Sequence, residues 1–253
     1  MEANRQLETY LGLCTQYYDL DKPIAPEEEL NFYLQYAQAA NGPILEPMCG
    51  TGRFLIPFMQ AGLDIEGFDA SPWMLEALRK KCLEQKTTPN IWEGFLQDLD
   101  SPKRYAYIFI PAASFGLITD LEEAKVSLKK IHQHLSDDGI FLFGTETPIS
   151  AHPAYSNRML SVTREDGKKI VLSLLTLPTE DQIEATACRY DLIDEDNVIH
   201  SENETFKVRL YEEQAMCDLL KQAGFTNIKA FKAFDPNQAP DAQDDAIIYE
   251  CRK

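Results

Sequence analysis

This sequence predicts a doubly wound α/β fold: a mostly parallel, seven-stranded sheet interrupted by an inserted antiparallel β meander. Three observations lead there. Short apolar runs alternate with amphipathic, helix-length runs between residues 44 and 143. That rhythm breaks at 159–209, where four strand-like runs follow one another with only turn residues between them. Beyond the break, one helix and two more strands complete the sheet.

Residues 5–18 place Leu7, Tyr10, Leu11, Cys14, Tyr17 and Tyr18 at helical spacing. Pro26 followed by Glu27-Glu28-Glu29 starts a second helix, with acids at the positive end of its dipole; Asn41-Gly42-Pro43 stops it after Ala40. The sheet then begins with Ile44-Leu45, a helix over Arg53–Ala61 closed by Gly62, and a strand over Leu63–Phe68. Ser71-Pro72 caps the next helix, and strands at Ile91–Leu96 and Ala106–Ile110 follow. The latter is apolar on both faces, as a central parallel strand must be. Asp120 with Glu123 opens a helix ended by Asp137-Asp138-Gly139, and Ile140–Phe143 is the fifth strand. The meander spans 159–164, 169–177, 183–192 and 198–209, turning at Asp166-Gly167, Pro178-Thr179 and Asp194–Asn197. Tyr211–Ala223 is the last helix, ended by Gly224, and strands near 226–234 and 246–251 flank a loop at Asp235–Asp245.

Composition excludes several functions. The net charge is −17 and the longest basic run is Arg79-Lys80-Lys81, a poor start for displacing counterions from a nucleic acid. No run reaches the ~20 apolar residues of a membrane span, and the N-terminus carries no secretory pattern. The six cysteines are scattered, without a Cys-x-x-Cys pair, which favours the reducing cytoplasm over a disulfide or metal scaffold. His132 and His134, two apart on a helix, face different ways; they make no metal pair and are expected at the surface. No metal is expected.

"LEPMCGTGRF", Leu45 to Phe54, is the stretch with chemical content. Gly50-Thr51-Gly52 sits between strand and helix, where open α/β sheets bind ligands, and glycine lets backbone approach them closely. A nicotinamide fingerprint wants a third glycine where Leu55 stands, and a P-loop wants a lysine that is missing. Glu46 before the turn repels a phosphate and welcomes a cation or a donor. Asp69 ends the second strand, where an acid grips the two hydroxyls of a ribose. Asp98 follows the third strand, so three carboxylates are expected to face one crevice.

In this register the chain resembles the class I S-adenosylmethionine-dependent methyltransferases, over roughly residues 18–146 and 205–251. The family's acid-x-G-x-G-x-G signature is matched by Glu46-Pro47-Met48-Cys49-Gly50-Thr51-Gly52, with Met48 in place of the first glycine. The resemblance implies S-adenosyl-L-methionine as cofactor and a Rossmann-like core, with Asp69 on the ribose. Asp98 and Leu99 would read the adenine, Ala70 and Met74 would pack on it, and Ala112 and Phe115 would line the methionine side. Tyr18 resembles the tyrosine that closes over the cofactor, although core packing explains it equally. Arg53 pairs with either the cofactor's carboxylate or Glu46.

The domains implied are a binding core of residues 1–148 and 209–253, with 1–43 as helices over the site, and the insertion 149–208 as substrate lid or dimer element. Such a lid is expected to govern turnover and leave cofactor affinity alone. Its Arg158, Arg164, Arg189 and Arg209 are candidates to meet a ligand or partner. The activated methyl of a sulfonium needs proximity and dryness more than a catalytic group. Glu146, in "GTETP" at the end of the fifth strand, is the candidate to hold an amine or take a proton, the alternative being a mere strand end. A DNA amino-methyltransferase motif is absent where Pro111-Ala112-Ala113-Ser114 stands. The expected function is methyl transfer to N or O of a small molecule by a cytoplasmic monomer or homodimer, with neither nucleic acid nor membrane as partner. A protein methyltransferase, a non-catalytic cofactor-binding partner or a nucleotide-linked oxidoreductase are the alternatives.

Overall fold

The computed structural model describes residues 7–253. Two helices, α1 (Gly12–Asp21) and α2 (Glu27–Ala39), precede β1 (Ile44–Pro47), α3 (Leu55–Gln60), β2 (Ile65–Asp69), α4 (Pro72–Glu84) and β3 (Asn90–Glu93). Then come β4 (Tyr105–Ile110), α5 (Leu121–His134) and β5 (Leu135–Glu146). The meander is β6 (Asn157–Thr163), β7 (Lys169–Thr176), β8 (Ile183–Asp194) and β9 (Asn197–Arg209). It is followed by α6 (Glu213–Ala223), β10 (Asn227–Lys232) and β11 (Ala246–Arg252).

The seven-stranded sheet runs β10-β11-β5-β4-β1-β2-β3, with β11 antiparallel to both of its neighbours and the other pairings parallel. Strand order therefore reverses direction at β1 and β4, the switch point where such sheets open a crevice at their carboxyl ends. Both faces are covered. Tyr107, Phe109 and Leu142 pack with Tyr33, Phe58 and Leu78 from α2, α3 and α4, while Ile108, Ile110, Phe141 and Phe143 pack with Leu128, Ile131, Met216 and Leu220 from α5 and α6. The caps follow the sequence: Ser71 Oγ accepts from Met74 N–H at 3.2 Å, and Asp120 accepts from Glu122 and Glu123 N–H at 2.8 and 2.9 Å.

Four boundaries differ from expectation. The first helix starts at Gly12 rather than residue 5: Tyr10 takes φ +57°, which breaks a helix, and residues 5 and 6 lie outside the described residues. Helix α3 is shorter than 53–61 because Gly52 at φ +80° delays it. Asp137-Asp138-Gly139 does not end a helix; it is absorbed as a bulge in β5, where Tyr105↔Leu135 jumps to Tyr107↔Ile140. Strand β3 stops at Glu93, and Leu96–Asp98 is a tight 3₁₀ turn. His134 is also not at the surface. It is 5% exposed, with Nε2 accepting from Ser101 N–H at 3.1 Å and Nδ1 2.8 Å from Lys130 O.

The meander forms a separate four-stranded sheet, β6-β7-β8-β9. Its two ends meet where it leaves the core, since Tyr211 N–H donates to Glu146 O at 2.9 Å. One face buries Ile170, Leu172, Cys188 and Tyr190 against Leu13, Cys14 and Tyr17 of α1. The arginines are largely engaged at home: Arg189 with Asp191, Arg164 with Asp166 and Gln16, and Arg209 with Thr119 O at 2.7 Å.

Candidate active site

The glycine turn leaves β1 through Met48, Gly50 and Gly52, all with positive φ (59°, 53° and 80°). Gly52 N–H closes it onto Cys49 O at 2.9 Å. Met48, the departure from an all-glycine pattern, thus occupies a conformation that a side chain resists. Asp69 ties the turn to the next helix: Oδ2 accepts from Gly50 N–H and Oδ1 from Ser71 N–H, both at 2.8 Å. Its carboxyl still stands above the usual range, because burial outweighs those bonds.

Above this frame lies a cavity of about 210 Å³. Tyr10, Tyr18, Met48, Gly50, Asp69, Ala70 and Met74 line it on one side. Gly94, Phe95, Leu96 and Gln97 line another, joined by Ser114, Leu117, Ile118 and Glu123. Six of the residues picked from the sequence therefore converge on one hollow: Tyr18, Met48, Gly50, Asp69, Ala70 and Met74. A larger hollow of about 580 Å³ lies on the meander, away from the strand ends, and is open to solvent.

Other residues of the sequence-predicted site lie elsewhere. Asp98 is exposed and Leu99 is 2% exposed within the core; the strand-end residues that line the cavity are Gly94 to Gln97 instead. The early end of β3 is the cause, since the chain passes the crevice three residues sooner than the periodicity implies. Phe115 is wholly buried, its ring packed on Phe143 and Tyr211 at 5.3 and 6.2 Å, and its neighbours Ser114 and Leu117 reach the cavity. Gly52 faces Leu78 rather than the hollow.

Behind the turn is a polar cluster around Arg53, whose guanidinium lies 5.6 Å from the Tyr18 ring centroid. Glu46 is 2% exposed and its Oε2 has no hydrogen-bond partner in the structure. Burial pushes its carboxyl well up, with Arg53 opposing and Asp69 adding to the rise. Glu29, missed in the sequence as one of three dipole-complementing acids, is 8% exposed and accepts from Ala112 N–H at 2.9 Å. It pins a segment in which Ala112 and Ala113 both have positive φ (55° and 52°). Burial raises its carboxyl too, against Ala112 N–H and Arg53. Only a contact 83 residues distant in sequence distinguishes Glu29 from its neighbours.

Glu46 has a measurable consequence. Its folded pKa lies above the unfolded value of about 4.3, so the folded state binds the proton more tightly and stability is lost as pH rises above that value. Glu46→Gln cannot ionise. Its stability relative to wild type is expected to rise as the pH climbs above about 4.3 in denaturant titrations. A difference independent of pH would contradict burial of an uncompensated carboxyl.

Glu146 ends β5, half-buried, its carboxyl raised by burial and by Glu184, with His152 opposing. His152 Nδ1 is 3.0 Å from Glu184 Oε1, so the β5 end and the meander meet in a carboxylate–imidazole cluster. Among the described residues no three His, Cys, Asp or Glu side chains gather as a metal site.

A glycine turn led by a buried acid and a second acid at the end of β2 frame one cavity at the switch point of a doubly wound α/β sheet, the place where such folds bind ligands. The methyltransferase domain family matches residues 21–230, and the chain belongs to that family. It is a methyltransferase of that family. Two relatives, from Geobacillus sp. (strain WCH70) and Bacillus subtilis (strain 168), are named provisionally as methyltransferases. They are 21% and 22% identical over 87% and 96% of this chain, and over 87% and 97% of their own. Among solved structures, an S-adenosylmethionine-dependent methyltransferase from Clostridium acetobutylicum ATCC 824 superposes with TM-score 0.77 at 18% identity, over 93% of this chain and 95% of its own. The sugar N-methyltransferase KedS8 from Streptoalloteichus sp. ATCC 53650 gives 0.74 at 16%, over 100% and 98%. The last two likenesses establish the fold.

Proposed function

We propose that this enzyme methylates nitrogen or oxygen of a small molecule, and that an amine is the acceptor. The observation that carries the reading is Glu146 beside Glu184 and His152, where the core strand ends and the meander begins. A carboxyl with a raised pKa at that place suits holding a cationic amine and relieving it of its proton, which frees the lone pair for attack. The fold neighbours include a sugar N-methyltransferase and an amino pentose methyltransferase, in keeping with that chemistry.

The residues fit the cofactor on the structure's own terms. Glu46 presents an orphaned buried oxygen suited to an ammonium, and Arg53 suits a carboxylate. Asp69 keeps acceptor capacity for a diol, and Ala70, Met74 and Phe95 to Gln97 supply walls for a planar base. Bound there, the cofactor supplies a methyl group activated on a sulfonium. Tyr18 offers that cation an aromatic face, and Tyr10 stands over the cavity where it helps keep water out.

A protein substrate would want a continuous apolar docking face on the meander. Its outward rows instead read Met159, Ser173, Arg189, Asn203 and Asn157, Leu175, Ala187, Thr205, which are mainly polar. None of the helices in the described residues is long and apolar enough to cross a membrane, and all six cysteines are free, in keeping with a cytoplasmic enzyme. The test is transfer of labelled methyl to amino sugars and simple amines, against alcohols, proteins and oligonucleotides. Label in a small amine, lost in Glu146→Gln and rising with pH, is expected. Label in protein or in nucleic acid instead would overturn the reading. No RNA or DNA gel shift is expected near 0.15 M salt; tight, salt-steep binding would contradict the acidic-surface argument.

A further inference from the structure

Helix α1 begins without a cap of its own. Leu11 before it offers no side-chain acceptor, and its first turn holds no acid. The leading amides of a helix need partners, and a carboxylate is the strongest available. Here they come from β9. Glu204 accepts from Tyr10 N–H through Oε2 and from Leu11 N–H through Oε1, both at 2.9 Å, and Glu202 Oε2 accepts from Leu13 N–H at 2.7 Å. The capping groups stand 194, 193 and 189 residues away in sequence.

Tyr10 is the joint. Its left-handed backbone (φ 57°) is costly for a residue with a side chain, so it persists only where its surroundings hold it. Glu204 holds its N–H, and its carbonyl accepts at 2.7 Å from the Ser71 hydroxyl, two residues past Asp69. Its ring packs edge-on against Phe206 of β9 at 5.9 Å and against Tyr18 at 6.3 Å. Tyr10 and Tyr18 line the cavity, whereas the meander contributes none of the lining residues.

We infer that Glu204 and Glu202 are positioning residues for cofactor binding: from the meander they fix the first turn of α1 and hold Tyr10 across the cavity. Meander and cofactor cover are then one unit, and retention of the cofactor depends on a sheet that never touches it. This replaces the expectation that the lid leaves cofactor affinity alone: exchanging residues about 150–208 for a short Gly/Ser linker should lower both affinity and turnover. The inference rests on the reading that the cavity beneath Tyr10 is the cofactor's.

The test compares wild type, Glu204→Ala, Glu204→Gln, Glu202→Ala and Asp69→Ala by calorimetry with S-adenosylmethionine and by amide hydrogen exchange. Glu204→Ala should weaken binding about tenfold, equivalent to about 1.4 kcal/mol. Glutamine keeps one acceptor oxygen and should fall between alanine and wild type; it also serves if the alanine variant does not fold. Amides of Tyr10, Leu11 and Leu13 should exchange faster while those of β1 and β4 keep their protection. Unchanged affinity in both Glu204 variants, with Asp69→Ala impaired, overturns the positioning role and spares the site. Weakened binding without faster exchange at Tyr10 to Leu13 overturns it as well. Indifference to Asp69→Ala removes the reading of the cavity on which it rests.

Discussion

Gly52→Val is expected to abolish detectable cofactor binding and to lower stability by about 2–5 kcal/mol, summing left-handed strain and overpacking. The cause is steric. Gly52 has φ +80°, and a Cβ there would lie 2.7 Å from Leu78 Cγ and 2.9 Å from Leu78 Cδ1. Leu78 is fully buried and cannot retreat, so the turn and α4 must part. Moving the turn also moves Gly50 N–H away from Asp69, the bond that sets one wall of the cavity. Gly62 supplies the control: φ is +77°, but nothing lies within 4 Å of a Cβ. Gly62→Ala should therefore cost only the strain, about 1–2 kcal/mol, and leave binding intact. Denaturant midpoints and calorimetry on the two variants decide it; equal losses in both would mean that packing against Leu78 is not the cause.

The second large effect is expected at Asp69. Alanine there removes the acceptor of Gly50 and Ser71 N–H and the group that grips a diol. S-adenosylmethionine affinity should fall by about 1.5–3 kcal/mol, the scale of a hydrogen bond to a charged group. That is about one to two orders of magnitude in Kd. Asp69→Asn keeps one acceptor but turns an amide toward the other donor, so its loss should be smaller. A variant that binds as wild type does would mean that Asp69 only braces the turn.

Much of this site was legible in the sequence because it is local. The acid, turn and helix of Glu46 to Arg53 lie within one βα unit, and Asp69 ends the strand paired with β1, so the rule about strand carboxyl ends places them unaided. Turn chemistry likewise marked the meander, where Gly167 takes φ +83°. What failed depended on tertiary contacts. Strand β3 ends three residues earlier than the periodicity implies, so the strand-end residues that line the cavity are Gly94–Gln97 and not Asp98 and Leu99. Phe115 looked like a lining residue, yet it fills the core against Phe143. Helicity at the N-terminus was projected back across Tyr10, whose conformation is imposed by Glu204 and Ser71. Glu29 among three adjacent acids carried no distinguishing mark.

The cavity under Tyr10 and Tyr18 is expected to take an adenosyl sulfonium and neither a dinucleotide nor a triphosphate. Calorimetric titration of the purified enzyme with S-adenosylmethionine, its demethylated product, NAD and ATP measures it directly. The first two should bind at one site per chain and displace one another, while NAD and ATP give no heat of binding at the same concentrations, because the turn lacks the third glycine of a nicotinamide fingerprint and the lysine of a P-loop. Saturable binding of NAD or ATP with none of the sulfonium compound would contradict the account.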